Sequence, residues 1–446
     1  MTRDVLLSLV VFAGACRPLP PTSTSPQVAP AGSRAEEVWR SAVAVDGNSL
    51  WPGFDPSRTP LAIYDGRRTF LFGHPSPPSR YVAQASGVAV VDGRDEAVVA
   101  NTAVDLAGVR TATMTLDDEL AITEATALAI HEMFHVHQRE RFAGWTADES
   151  APFFYPVDDP TLLGWRLAEE AALRAAVATR AQAEMIAHAR RALAIRARRF
   201  IALTPELRAY ERKTELFEGI ARYLQDRVAG RARMSAEGFA ADDIRARAYA
   251  VGSMLATLLD RTAPDWKTKL VREPDATLDE LLARAIGSES SDAALAAELE
   301  RMAPEVDRRL AELRQRRAGI ADELARTPGW TLRIDARRGR MRVASFDPMN
   351  VTKIDEQRVA HHRMVQAVGE CSKLEDVGHP ALVTASDPMG AQITELAIHG
   401  LADAPTVTRE GDRLVVTGPD LSATLCHAEL ERDDAHHEIR VRLLGD

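Results

Sequence analysis

Two histidines four residues apart, with a glutamate after the first, stand in the stretch Thr126 to Gln138 as His131-Glu132-Met133-Phe134-His135. On a helix, residues i and i+4 share a face, so both imidazoles reach one point. Neutral imidazole is a good zinc ligand, and zinc with three protein ligands keeps a fourth position for water. Glu132 lies one step round the helix, where its carboxylate can take that water's proton. The pattern therefore reads as metal-assisted hydrolysis. Met133, Phe134 and Val136 supply the apolar flank that buries the helix. The helix itself is expected from near Asp118, with acidic residues at its start, to near Phe142. Two histidines alone do not hold a catalytic zinc, so a third ligand has to come from elsewhere in the chain.

A chain of 446 residues has room for two or three domains and a substantial core. The net charge of −10 argues against a nucleic-acid surface. Alanine and arginine dominate the middle of the chain, where long helices are the natural outcome. The amino terminus differs. Arg3 precedes the apolar run Val5 to Ala13, followed by Gly14-Ala15-Cys16, which reads as an export signal over residues 1–16. Cys16 after Gly14-Ala15 resembles a bacterial lipobox, whose cysteine is lipidated and becomes the mature first residue. Ala13 stands where leucine is usual and Asp4 weakens the basic start, so an ordinary signal peptide is the alternative. Residues 17–34 follow as a Pro/Ser-rich linker. Either way the expected location is the bacterial cell envelope, with membrane attachment through the N-terminal lipid if Cys16 is modified. Cys371 and Cys426 either pair in that oxidising compartment or stay as two separate thiols.

Residues 35–115 mix short strands with turns. Strands are expected at 60–64, 69–72, 88–91, 97–104 and 109–114, forming a mixed sheet against the active-site helix. The strand before that helix is a candidate edge for an extended peptide to join. Residues 116–327 read as helical. Within them, Gly144 to Pro160 is a loop of aromatics and prolines that packs onto the core or lines a pocket. Thr161 to Leu203 reads as one long or kinked helix, and Pro205 opens the next at a favoured position. Further helices are expected at about 241–260, 278–286 and 292–326. Residues 328–446 alternate as an antiparallel β domain, in which His361-His362 and His436-His437 read as solvated pairs.

The helix opened by Pro205 carries Glu218-Gly219-Ile220-Ala221-Arg222-Tyr223. A Glu-Gly-x-Ala-x-Tyr element after an HExxH helix resembles the gluzincin clan, the thermolysin and aminopeptidase N relatives. Their third zinc ligand is this glutamate, so the resemblance implies Glu218 in that role. The interval of roughly 80 residues is longer than in those enzymes and reads as a helical insertion. Glu215 and Glu211 fall on one face at helical spacing; Glu215 is a candidate to orient a ligand histidine, and Glu211 reads as an exposed acid. Glu218 is preferred to Glu215 as the ligand. The resemblance continues at Tyr249-Ala250-Val251-Gly252, where the aminopeptidase-like members place a Tyr-x-x-Gly phenol over the zinc. It implies that Tyr249 stabilises the oxyanion, while the residue pattern alone equally allows a core tyrosine. Two departures stand out. The aminopeptidases' Gly-x-Met-Glu-Asn element is absent, and Arg222 replaces thermolysin's aspartate four positions after the ligand glutamate. The resemblance spans roughly residues 97–260, and the whole chain is similar to exported bacterial proteins with a His-Glu-x-Phe-His motif.

The expected fold is therefore α+β, a zincin-like metallopeptidase core with a mixed sheet, a large helical part and a C-terminal antiparallel β domain. The expected activity is zinc-dependent peptide hydrolysis on a peptide or protein substrate, by an exported and lipid-anchored protein. The rival expectations are a zinc-retaining binding or scaffold lipoprotein without turnover, and a zinc hydrolase of a non-peptide amide or ester.

Overall fold

The computed structural model describes residues 33–85, 87–98, 100–230, 238–287, 292–346 and 350–445. The export-signal, linker and lipobox expectations, Cys16 included, lie outside these residues save for the linker's last two. Among the described residues no helix is long and apolar enough to cross a membrane.

Helix α1 (Arg34–Val43) starts at a capping box: the Ser33 side chain accepts from the Glu36 amide, and the Glu36 carboxylate accepts from the Ser33 amide. A single turn, α2 (Gly47–Leu50), leads into the first sheet. Its strands are β1 (Leu61–Tyr64), β2 (Arg68–Phe72), β3 (Val82–Ala83), β4 (Ala89–Asp92), β5 (Thr102–Leu106) and β6 (Val109–Thr115). They lie in the order β3-β4-β2-β1-β6-β5, antiparallel except for β1 with β6. The strand expected from Ala97 begins only at Thr102, because the Asp95 carboxylate accepts from the Ala97 amide and from Arg80 and pulls this segment into a turn. The strand directly before the histidine helix, β6, is interior, so β5 and not β6 is the edge on that side.

The histidine helix, α3 (Ile122–Arg141), starts four residues later than expected and packs on α1, β5 and β6. It is buried on nearly every side, from Ala125 and Ala129 to Met133, Phe134 and Val136. Trp51, fully buried, anchors its second half through edge contacts to Phe134, Phe142 and Trp145.

The expected single helix over 161–203 is a hairpin of α4 (Pro160–Ala178) and α5 (Gln182–Ile201). The break carries neither proline nor glycine. Arg261, from a distant helix, instead donates to the carbonyl oxygens of Thr179 and Arg180 and so satisfies the exposed end of α4. Then follow α6 (Pro205–Thr214), a π turn at Glu215–Gly219, α7 (Ile220–Val228), α8 (Ile244–Thr262), α9 (Trp266–Arg272), α10 (Leu278–Ile286) and α11 (Asp292–Ala325). In the loop after α3, Trp145, Phe153 and Tyr155 are buried, while Phe154 is exposed. One face of the first sheet and the helices share a core that runs from Ala35 to Leu295, while a smaller cluster of Ala62, Leu71, Tyr81, Ala89, Val98 and Leu106 belongs to the sheet part alone.

The C-terminal part pairs a seven-stranded sheet with a six-stranded one, and period-two burial as in Ala381–Ala385 feeds a core including Ile334, Leu374, Ile398 and Leu425. It is not wholly antiparallel: the last strand, Glu438–Leu443, runs parallel to Trp330–Asp335. Cys371 and Cys426 form a disulfide with Cα atoms 5.9 Å apart. His361 is buried against Phe346 instead of solvated, and burial lowers its pKa to about 4; His436 is exposed as expected. The architecture is α+β, with one mixed sheet, a large helical part and a second, mostly antiparallel sheet pair.

Candidate metal centre

His131, Glu132 and His135 sit mid-helix on α3, each no more than 6% exposed. Glu218 enters from the π turn between α6 and α7. A π turn adds a residue per turn, so residues three apart no longer share one face. That local widening separates Glu218 from Glu215 and aims it at α3. Gln138 fastens the two elements. Its Nε2 donates to the carbonyl oxygens of Leu216 (3.1 Å) and Phe217 (2.8 Å), inside the π turn. Its Oε1 lies 2.8 Å from His135 Nδ1, which fixes Nδ1 as the protonated nitrogen and leaves Nε2 as the ligand atom. Phe217 stacks on the His135 ring from the other side, with centroids 4.5 Å apart.

Glu218 Oε2 lies 3.1 Å from His135 Nε2 and 3.6 Å from His131 Nε2. Ligand atoms at about 2.05 Å from a tetrahedral zinc are about 3.3 Å from one another, a value these two distances bracket. The three donors form a buried set with all ligand atoms within 4.8 Å. Glu132 Oε2 and His131 Nδ1 are buried without a hydrogen-bond partner among the described residues. Two imidazoles and a carboxylate converging at such separations, beside a carboxylate with an unpaired oxygen, fit a divalent metal.

The electrostatics agree with that chemistry. Burial lifts the Glu132 carboxyl above its ordinary range, against the pull of His131 and His135. Burial works against charge on Glu218 as well, but His135 and His131 outweigh it and hold that carboxyl well below its usual range. For His135 burial favours the neutral ring, and the adjacent Glu218 overrides it and raises the pKa.

Two glycines bring α8 onto the π turn. A Cβ on Gly219 would stand 2.6 Å from Gly252 Cα, and one on Gly252 would stand 2.5 Å from the Glu215 carbonyl oxygen. Only bare backbone fits there, which explains physically why Glu-Gly and Tyr-x-x-Gly occur together. The contact brings Tyr249, one turn before Gly252, beside the ligand set. Its hydroxyl accepts from Arg245 Nε at 3.1 Å, and burial and then Glu218 push its pKa well up. Arg245 also donates to Glu218 Oε1 at 2.9 Å and pairs with Glu149.

The structure brings together His131, Glu132, His135, Glu218 and Tyr249, as the sequence led us to expect. Glu215 and Glu211 lie elsewhere. Glu215 faces Arg196 and not a ligand histidine, because the π turn carries Glu218 alone toward α3. Glu211 is fully buried, held by Arg199 and by the Tyr155 hydroxyl, in place of the exposed position expected for it. Both belong to a buried network in which Arg196, Arg199 and Arg247 meet Glu169, Glu211, Glu215 and Asp279. Sequence reasoning missed Gln138 and Arg245. Gln138 was signalled by its i, i+3 spacing from His135, whereas nothing local marks Arg245. No protein-family model, curated protein or solved structure matches this chain.

Proposed function

We propose that this protein is a zinc-dependent peptidase with a zincin-like core, exported and anchored through Cys16. The observation that carries the proposal is the convergence of His131 Nε2, His135 Nε2 and Glu218 Oε2 beside the unpaired Glu132 carboxylate. His131, His135 and Glu218 would hold the ion, which when bound supplies Lewis acidity to the scissile carbonyl and lowers the pKa of water. Glu132 takes one proton from the attacking water as its oxygen bonds to the carbonyl carbon. The same carboxyl returns that proton to the amine nitrogen as the carbon–nitrogen bond breaks. Glu132 suits both halves of this exchange, since burial keeps its proton affinity above that of an exposed carboxylate. Tyr249 accepts from Arg245 and its own hydroxyl is turned toward Glu218, from which its proton would swing to the oxyanion that develops on the carbonyl.

The test is metal analysis together with digestion of a broad peptide library. The wild type is expected to carry about one zinc per chain and to cleave peptides. Glu132→Gln keeps the zinc but loses at least about two orders of magnitude in rate, roughly 3 kcal/mol of barrier. A Glu132→Gln protein as fast as wild type overturns the mechanism. Zinc bound with no cleavage of any peptide overturns the peptidase assignment.

A further inference from the structure

The two oxygens of Glu218 face different partners. Oε2 faces the histidines, while Oε1 accepts from the Arg245 guanidinium at 2.9 Å. Arg245 spends its other donors on the Tyr249 hydroxyl and on Glu149, and its plane lies over the Tyr249 ring, 5.5 Å from the centroid. A guanidinium is a rigid fork whose donors have fixed relative directions, so these contacts lock the Glu218 carboxylate in rotation. A cation this close to a bound dication would repel it if left uncompensated. Glu149, whose carboxylate pairs with the same guanidinium, cancels that charge.

The loop that bears Glu149 is held from outside the helical part. It follows α3 and is tied to the C-terminal part by Lys353, whose Nζ donates to the Phe153 carbonyl oxygen at 3.0 Å. The Phe153 ring meets Phe346 edge-on at 5.4 Å. Glu149, Phe153, Arg245 and Lys353 line one cavity of about 240 Å³ between the two parts of the molecule.

We propose that Arg245, neutralised by Glu149, is a positioning residue that restricts Glu218 to one metal-ligating oxygen, and that the C-terminal β part supports it through the loop bearing Glu149. This inference rests on the metal site proposed above. It is tested by zinc affinity, measured by competition with a chelating dye, and by the visible spectrum of the cobalt-loaded protein, which reports coordination geometry. Arg245→Gln is expected to weaken zinc binding 10- to 100-fold and to alter the cobalt spectrum, as loss of an outer partner of a metal ligand does. Arg245→Lys restores only part of the affinity, because an ammonium lacks the fork. Glu149→Gln, on a side chain that is 41% exposed, is expected to weaken zinc about tenfold with unchanged circular dichroism. Wild-type affinity and cobalt spectrum in both Arg245→Gln and Glu149→Gln, with zinc bound by the parent, overturn this inference and leave the metal site standing. A parent protein that binds no zinc overturns the site and this inference with it.

Discussion

Two clusters of buried charge lie a turn apart on the continuous element formed by α6, the π turn and α7, and they follow opposite rules. Around Glu211 and Glu215 each carboxylate meets a guanidinium: Arg199 for the first, Arg196 for the second, with Glu169 and Asp279 completing the set. That network meets its carboxyls with guanidinium groups of the same chain. Around Glu218 the groups turned inward are lone-pair donors, two imidazole nitrogens and a carboxylate oxygen, with the unpaired Glu132 beside them. This cluster has lone pairs in surplus, and a cation from outside the chain would complete it. Acidic residues at helical spacing do not by themselves declare which one binds metal; what each one faces does.

The comparison breaks most visibly under Arg199→Ala. Arg199 is completely buried, and its loss takes from Glu211 its closest guanidinium and leaves Glu169 and Glu211 to share Arg196 and Arg247. Removing one partner of such a pair costs about 3–5 kcal/mol, so the midpoint of urea unfolding should drop steeply while the folded fraction still carries its zinc. Zinc lost with stability unchanged would show that the two clusters are one. A smaller and more selective effect comes from exchanging the glutamates. Glu215→Ala leaves Arg196 with Glu169 and Asp279, so it should cost about 1–3 kcal/mol and keep the metal. Glu218→Ala should lose zinc. If Glu215→Ala strips the metal while Glu218→Ala retains it, the ligand has been placed one turn off.

The division between the clusters was only partly legible in the sequence. Spacing alone identified His131, Glu132 and His135, because four residues are one turn of any α-helix. Alternation sufficed to mark the C-terminal part as β and to place a minority of its strands, since period two is intrinsic to a half-buried strand but short strands carry too few residues to show it. What escaped depends on partners far along the chain. The π turn at 215–219 has carbonyls bound by Gln138 on α3, and it alone turns Glu218 away from Glu215. The break between α4 and α5 is held by Arg261, and the parallel pairing of the last strand closes a sheet across the whole C-terminal part. Glu211 looked like a surface acid because nothing near it in sequence announces Arg199 and Arg247.

The finest separation of the two clusters is along the pH axis. Burial alone would raise the carboxyls of Glu169 and Glu211, but Arg199 and Arg247 outweigh it and hold both below the ordinary range. A depressed folded-state pKa contributes stability that is full above the unfolded value, about 4.3 for glutamate, and is lost as pH falls below it. Each such carboxylate then gives up about 1.4 kcal/mol per pH unit in acid, whereas Glu215, pushed up to about 7 by burial against the pull of Arg196, carries the opposite sign. At the metal cluster the loss has the same direction as for Glu169 and Glu211 but sets in at higher pH. Protons compete with metal for the imidazoles, and Glu218 raises the pKa of metal-free His135 above the ordinary imidazole range, about 6.5. Zinc should therefore leave as pH falls through and below that range, while Glu169 and Glu211 are still ionised and the helices intact. Zinc occupancy and far-ultraviolet circular dichroism followed in one acid titration read the two events separately. The expected result is zinc release at least about one pH unit above helix loss, with Arg199→Ala moving the second event and not the first. Zinc held until the helices melt would mean that the metal cluster is no weaker toward protons than the ion-pair network, and the contrast drawn between them would fail.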